Sequence, residues 1–149
     1  MPISLIEMRG LTLLEILLVV GIVAILVSLT LPLGLDFYRS QQLETQSQGV
    51  IQALRRAQLK AISVESDSSF GVYLTDDNYT LFKGSSYLTR DADFDEVFDL
   101  PMIITVSGLQ EIVFSKLEGK PNITGNIILS GDSDSRTINI NEMGRINYE

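Results

Sequence analysis

From Leu11 to Leu35 the chain is apolar on every side, and one ionisable side chain, Glu15, interrupts it. A run of 18 or more mostly apolar residues has the length of a membrane-crossing helix, since about 20 residues span the hydrocarbon core. An acid inside such a run costs on the order of 2.5–3.5 kcal/mol on insertion scales, so Glu15 calls for a partner. Pro32 and Gly34 close the run. A proline there either bends the helix or marks the end of the span, and both readings stay open.

The pattern then changes. Leu43, Ser47, Val50, Leu54, Ala57, Ala61 and Val64 recur at alternating steps of three and four, which is one face of an amphipathic helix. Gln41, Gln42, Gln48, Arg55, Arg56, Gln58 and Lys60 fill the rest of its surface. One helix is predicted from Leu11 to about Val64, a length near ~80 Å at ~1.5 Å per residue. Small Ala57 and Ala61 allow close approach to whatever it packs on. Asp67, Ser68 and Ser69 end it.

Beyond residue 69 the spacing is that of strands. Phe70–Leu74 and Tyr79–Lys83 flank a polar Thr75-Asp76-Asp77-Asn78 turn and predict a hairpin. Gly84 to Glu96 reads as an exposed acidic loop. Further strands are predicted at 97–100, 102–106 and 111–114, the first two separated by Pro101, which cannot donate to a ladder. A turn is predicted at Gly119-Lys120-Pro121-Asn122, and a last hairpin pairs 125–130 with 136–141. The fold class is α+β: a long N-terminal helix whose second half packs on an antiparallel sheet. The predicted divisions are 1–10 as a leader, 11–35 as a membrane and assembly half-helix, and 36–149 as a soluble domain, with helix over 36–65 and sheet over 69–149.

Composition narrows the chemistry. The chain has 149 residues, no cysteine and no histidine. No disulfide or thiol nucleophile is possible, and the commonest catalytic base and metal ligand is missing. The net charge of −8 is uneven: residues 66–149 carry fourteen acids and six bases, whereas 36–65 carry three and four. Such an acidic C-terminal part argues against a nucleic-acid surface. Asp91, Asp93 and Asp95 have the odd spacing of a calcium loop, but the sixth and twelfth positions hold Glu96 and Met102 instead of Gly and Glu. They are weak calcium candidates beside the simpler reading, a solvated acidic loop. Asp132 and Asp134 have turn chemistry, and Gly144-Arg145 reads as a glycine-enabled turn. No nucleophile motif appears, so neither catalysis nor a cofactor is expected.

Arg9-Gly10, then Leu11, then Glu15 fifth from that junction, then the apolar run and Pro32, closely resemble the type IV pilins and pseudopilins. Leu11 stands where that family usually has Phe or Met. The segments Ala53–Ile62 and Phe70-Gly71-Val72-Tyr73, with the ending Gly144-Arg145-Ile146, are similar to the H-type minor pseudopilins of type II secretion and their FimT-type minor pilin relatives. Gln58 stands where the usual residue is Arg. The resemblance implies a pilin-like fold and cleavage after Gly10 by a prepilin peptidase. It also implies N-methylation of Leu11, a single-pass place in the inner membrane with the soluble domain outside the cytoplasm, and passage through an inner-membrane assembly platform. It implies assembly with other pilin or pseudopilin subunits, with Glu15 meeting a neighbour's terminal amine. The lack of cysteine favours a secretion pseudopilus over a type IV pilus serving adhesion, twitching or DNA uptake. A different class, a tethered enzyme or ligand-binding domain, would tolerate Glu15→Leu.

Overall fold

The structure, a computed structural model, describes residues 12–132 and 134–149, and of residues 29–34 the backbone alone. Gly10 and Leu11, the expected processing site, lie outside the described residues, as does the side chain of Pro32. The protein is α+β with antiparallel sheets. One helix, α1, runs Leu13–Ile62. The chain divides into two compact units, Met1–Phe37 and Tyr38–Glu149. The second is called the head below.

Within the head, α1 buries the stripe that its spacing predicts. Leu43, Ser47, Val50, Leu54, Ala57 and Ala61 are all buried, with Ile51 and Ala53 widening the face. The Ser47 hydroxyl returns its hydrogen bond to the Leu43 carbonyl at 2.8 Å, so the one polar member of the stripe is satisfied. The helix stops at Ile62, slightly short of the predicted Val64. Val64, Ser66 and Asp67 take left-handed φ of 53–56° in the turn that follows. For β-branched Val64 that conformation is costly, and the surrounding contacts must hold it.

Eight strands follow: β1 Phe70–Leu74, β2 Asn78–Lys83, β3 Asp91–Asp99, β4 Thr105–Gly108, β5 Glu111–Phe114, β6 Gly125–Ser130, β7 Ser135–Ile140 and β8 Ile146–Tyr148. They form two four-stranded sheets in the orders β3-β2-β1-β5 and β4-β6-β7-β8, where one sheet was expected. Both contribute to one core. Phe70, Val72, Leu81, Ile112 and Phe114 come from the first sheet, and Ile127, Leu129, Ile138 and Ile140 from the second, all buried with the helix stripe. The two predicted hairpins form, with Val72 opposite Leu81 and Ile127 opposite Ile138.

The acidic segment after Gly84 is corrected. Only the short turn Tyr87–Thr89 lies between Gly84 and β3, and Asp91–Asp99 pairs antiparallel with β2. Lys83 lies opposite Asp91 and Leu81 opposite Glu96, so the register shifts between them and residues 92–95 bulge. Charge does not exclude a strand at a sheet edge; edge strands are commonly blunted by charge and bulges. The connection into β3 also covers the outer face of this sheet. The Tyr87 ring stacks on Tyr73 at 4.0 Å and meets Phe82 edge-on at 5.6 Å. Glycine at 71 makes room there: a Cβ would come within 2.6 Å of the Phe82 ring.

Candidate functional site

Thr12 opens α1. Its carbonyl and its hydroxyl both accept from the Glu15 amide, at 3.0 and 3.3 Å. Thr12-Leu13-Leu14-Glu15 thus has the capping-box spacing, with an acid at the third helical position. An acid in the first turn also complements the positive end of the helix dipole. Glu15 therefore has a local reason to sit where it does, legible in the T-x-x-E spacing and missed by the motif reading alone. Among the described residues its carboxylate has no hydrogen-bond or ion-pair partner.

The helix that follows is apolar all round. Every large side chain from Leu13 to Val27 is exposed in the isolated chain. Around Gly21 there is open space. Ser28, the first hydroxyl after the run, donates to the Ile25 carbonyl at 2.8 Å and so asks nothing of its surroundings. A helix that is hydrophobic on all sides belongs in a buried or lipid environment, and exposed apolar surface of this extent marks an interaction site. Among the described residues no helix is long and apolar enough to cross a membrane. Residues 13–28 amount to roughly 24 Å of helix at ~1.5 Å per residue, short of the hydrocarbon core of about 30 Å.

The head is fastened to its own stretch of α1 by polar contacts that the periodicity could not reveal. Gln58 Nε2 donates to the carbonyls of Gly119 and Gly144, at 2.9 and 3.0 Å. Both glycines have positive φ, +64° and +76°, and a Cβ at Gly144 would come within 2.4 Å of the Gln58 amide. One side chain thereby closes two turns over the helix. The expected turn at Gly144 is present, with its amide donating to the Asn141 carbonyl at 2.9 Å. Nearer the start of the head, Glu44 accepts from the Tyr148 hydroxyl and from Arg136 Nε at 3.2 Å, and from Gln48 at 3.1 Å. The Tyr148 hydrogen bond, and then that of Gln48, hold the Glu44 carboxyl below its ordinary value. Burial, and then the Glu44 carboxylate, push the Tyr148 phenol up.

The acidic positions weighed for calcium are spread over other tasks. Asp91 faces Lys83 at 3.4 Å, Asp95 accepts from Arg90 at 2.7 Å, and Asp93 is exposed on the bulged strand. Among the described residues no group of three acidic, histidine or cysteine side chains is placed to hold a metal ion. Asp132 pairs with Arg39 at 2.7 Å, and Asp134 accepts from the Ser40 hydroxyl at 2.8 Å. The final hairpin turn is thereby pinned to the first turn of the head helix, a structural use of both acids.

Comparison with family models, with characterised proteins and with solved structures yields no match to this chain.

Proposed function

We propose that this chain is a structural subunit of an extracytoplasmic filament, a minor pseudopilin of a type II secretion pseudopilus with a pilin-like fold. The observation that carries the reading is the helix segment 13–28. It is apolar on every face and exposed in the isolated chain, with Glu15 its one ionisable side chain. In this reading a prepilin peptidase cuts after Gly10, and the new amine of Leu11 is methylated. The apolar half-helix sits in the inner membrane, with Pro32 near its outer edge and the head outside. An inner-membrane platform then extracts the subunit, and the half-helices of neighbouring subunits replace lipid around one another. Lipid offers no hydrophobic driving force for that exchange, so packing and polar pairing must supply it. Glu15 pairs with the terminal amine of the adjacent subunit. A subunit out of step would leave two unpaired charges in an apolar core, which is strongly unfavourable. The protein is then a substrate of its processing enzyme and a building unit, with no catalysis of its own. Its acidic head gives nucleic acid no phosphate-binding surface.

The test is the amino terminus of the mature protein. Mass spectrometry of the chain from its native membranes is expected to find a polypeptide that begins at Leu11 and carries one added methyl. A mature chain retaining Met1 would overturn the reading.

A further inference from the structure

On the head stretch of α1, Gly49, Gln52, Ala53 and Arg56 are spaced by three, one and three, which puts them on one face of the helix. That face meets the first sheet near its β3 edge. Tyr79 of β2 and Phe98 of β3 stand opposite each other in the ladder, and their rings stack at 5.0 Å with 16° between the planes. These four helix residues and two aromatic residues line a cavity of about 260 Å³. Gln52 and Arg56 are exposed, so the cavity opens to solvent on their side.

The polar groups of this cavity are not all used by the protein. Tyr79 is only 5% exposed, and its hydroxyl has no hydrogen-bond partner among the described residues. Burial pushes its phenol up. The hydroxyl reaches the helix at Gly49, where a Cβ would come within 2.6 Å of it. Buried hydroxyls are normally hydrogen-bonded, so this one is left for whatever enters the cavity. The Gln52 amide is also unpaired among the described residues. Arg56 forms an ion pair with Glu96 at 2.7 Å. Lys60 lies 3.8 Å from Glu96 and 2.9 Å from Glu65. The two bases and two acids of this neighbourhood therefore cancel. Val97 and Asp99 project to the other face of β3 by strand alternation, and Arg55 lies about 100° around the helix from Arg56.

We infer that this cavity is a binding site for one ring of a neutral sugar. Its volume falls below the ~300–1,000 Å³ of sites for larger ligands and suits a single ring. It offers no spare charge: a phosphate, carboxylate or ammonium group would have to compete with the Arg56–Glu96 pair. A purely apolar occupant would leave the Tyr79 hydroxyl and the Gln52 amide unpaired, which is costly. A pyranose has an apolar C–H face for the aromatic pair and hydroxyls that both donate and accept. The Tyr79 hydroxyl, the Gln52 amide and the planar guanidinium–carboxylate pair supply donors and acceptors to match. The inference goes beyond the filament reading and holds whether or not the chain assembles.

The test uses full-length protein in a detergent without a sugar headgroup. Glucose, galactose, mannose, N-acetylglucosamine and the linear tetramer of the last are titrated, with binding followed by saturation-transfer NMR. At least one neutral sugar is expected to bind saturably in the millimolar range, and glucuronate to bind several-fold more weakly than glucose. Tyr79→Phe removes the hydroxyl and no hydrogen bond within the protein, so the head should melt like wild type while sugar binding falls several-fold. Gln52→Ala, at an exposed position, should lower binding in the same way. Binding of the tetramer alone would support a site for a glycan chain, and binding of a monosaccharide alone a site for a free sugar. No saturable binding by any of these sugars would overturn the inference. Binding that Tyr79→Phe leaves unchanged would overturn it too, as would glucuronate binding as tightly as glucose.

Discussion

Two stretches of one helix use apolar residues in opposite ways. Between Leu43 and Ala61 the apolar residues keep to one face, and the protein buries that face under its own two sheets. Between Leu13 and Val27 they occupy every face and stand exposed in the isolated chain. The first stretch completes itself. The second leaves its apolar side chains exposed, and the difference is visible in the period of the pattern before any contact is considered. Within the second stretch the lone acid gains meaning from its surroundings: beside Gln41 or Lys60 it would be one surface charge among several.

The contrast is broken most severely in the buried stretch. Leu54 is fully buried at the centre of the stripe. Burying a leucine contributes roughly 1.5–3 kcal/mol, and an unpaired carboxylate in its place adds a larger desolvation cost. Leu54→Asp is therefore expected to unfold the head, as seen by loss of its cooperative melting transition in detergent. The same change at Leu17, 70% exposed, should leave head melting where it was. Equal losses from the two substitutions would erase the distinction between the stretches.

A smaller effect is expected at Gln58. Its two hydrogen bonds are each worth about 0.5–1.5 kcal/mol net, so Gln58→Ala should destabilise the head by roughly 1–3 kcal/mol, measured by denaturant melting. It should also speed proteolysis near Gly119 and Gly144. No change would mean that the two turns hold themselves.

Smallest is the pH dependence of Glu44. Its carboxyl titrates below the ordinary value of 4.5 because the folded state donates hydrogen bonds to its charged form. The stabilisation is present above that ordinary value and is lost as pH falls through the lower, folded value. Head stability should fall on acidification below about pH 4.5. Glu44→Gln should flatten that part of the curve and leave the neutral range little changed. An unchanged acid limb in Glu44→Gln would assign it to other carboxylates.

How much was legible follows the same physics. The helix stripe and the two hairpins were plain because apolar period and turn chemistry are local. Gly84 to Glu96 read as a loop because strands are expected to alternate, and the strand that begins at Asp91 sits at an edge, bulged, with most of its side chains in solvent. The split into two sheets depends on which strands pair across long separations, such as β1 with β5 and β4 with β6, and no local pattern records that. β8, only three residues long, was hidden behind the Gly144 turn. Gln58 stood out only as a departure from the pattern that the sequence resembles. That its amide spans two glycine turns requires the tertiary fold. Thr12 and Glu15 were legible as a capping box, yet attention to the acid alone passed over the threonine.

The pairing of Thr12 with Glu15 in the first turn points to the most direct test. Glu15 has a place in the first turn of a helix capped by Thr12 and a proposed charge partner in the next subunit, and the two respond differently to Glu15→Gln. Glutamine suits the same capping-box position and removes the charge. The measurement is co-purification of Glu15→Gln, in membranes, with the other subunits of the filament, against wild type. The account predicts a protein that inserts, is processed to a Leu11 terminus and has a folded head, but fails to incorporate. Incorporation at the wild-type level would contradict it and leave Glu15 as a first-turn acid of a helix capped by Thr12.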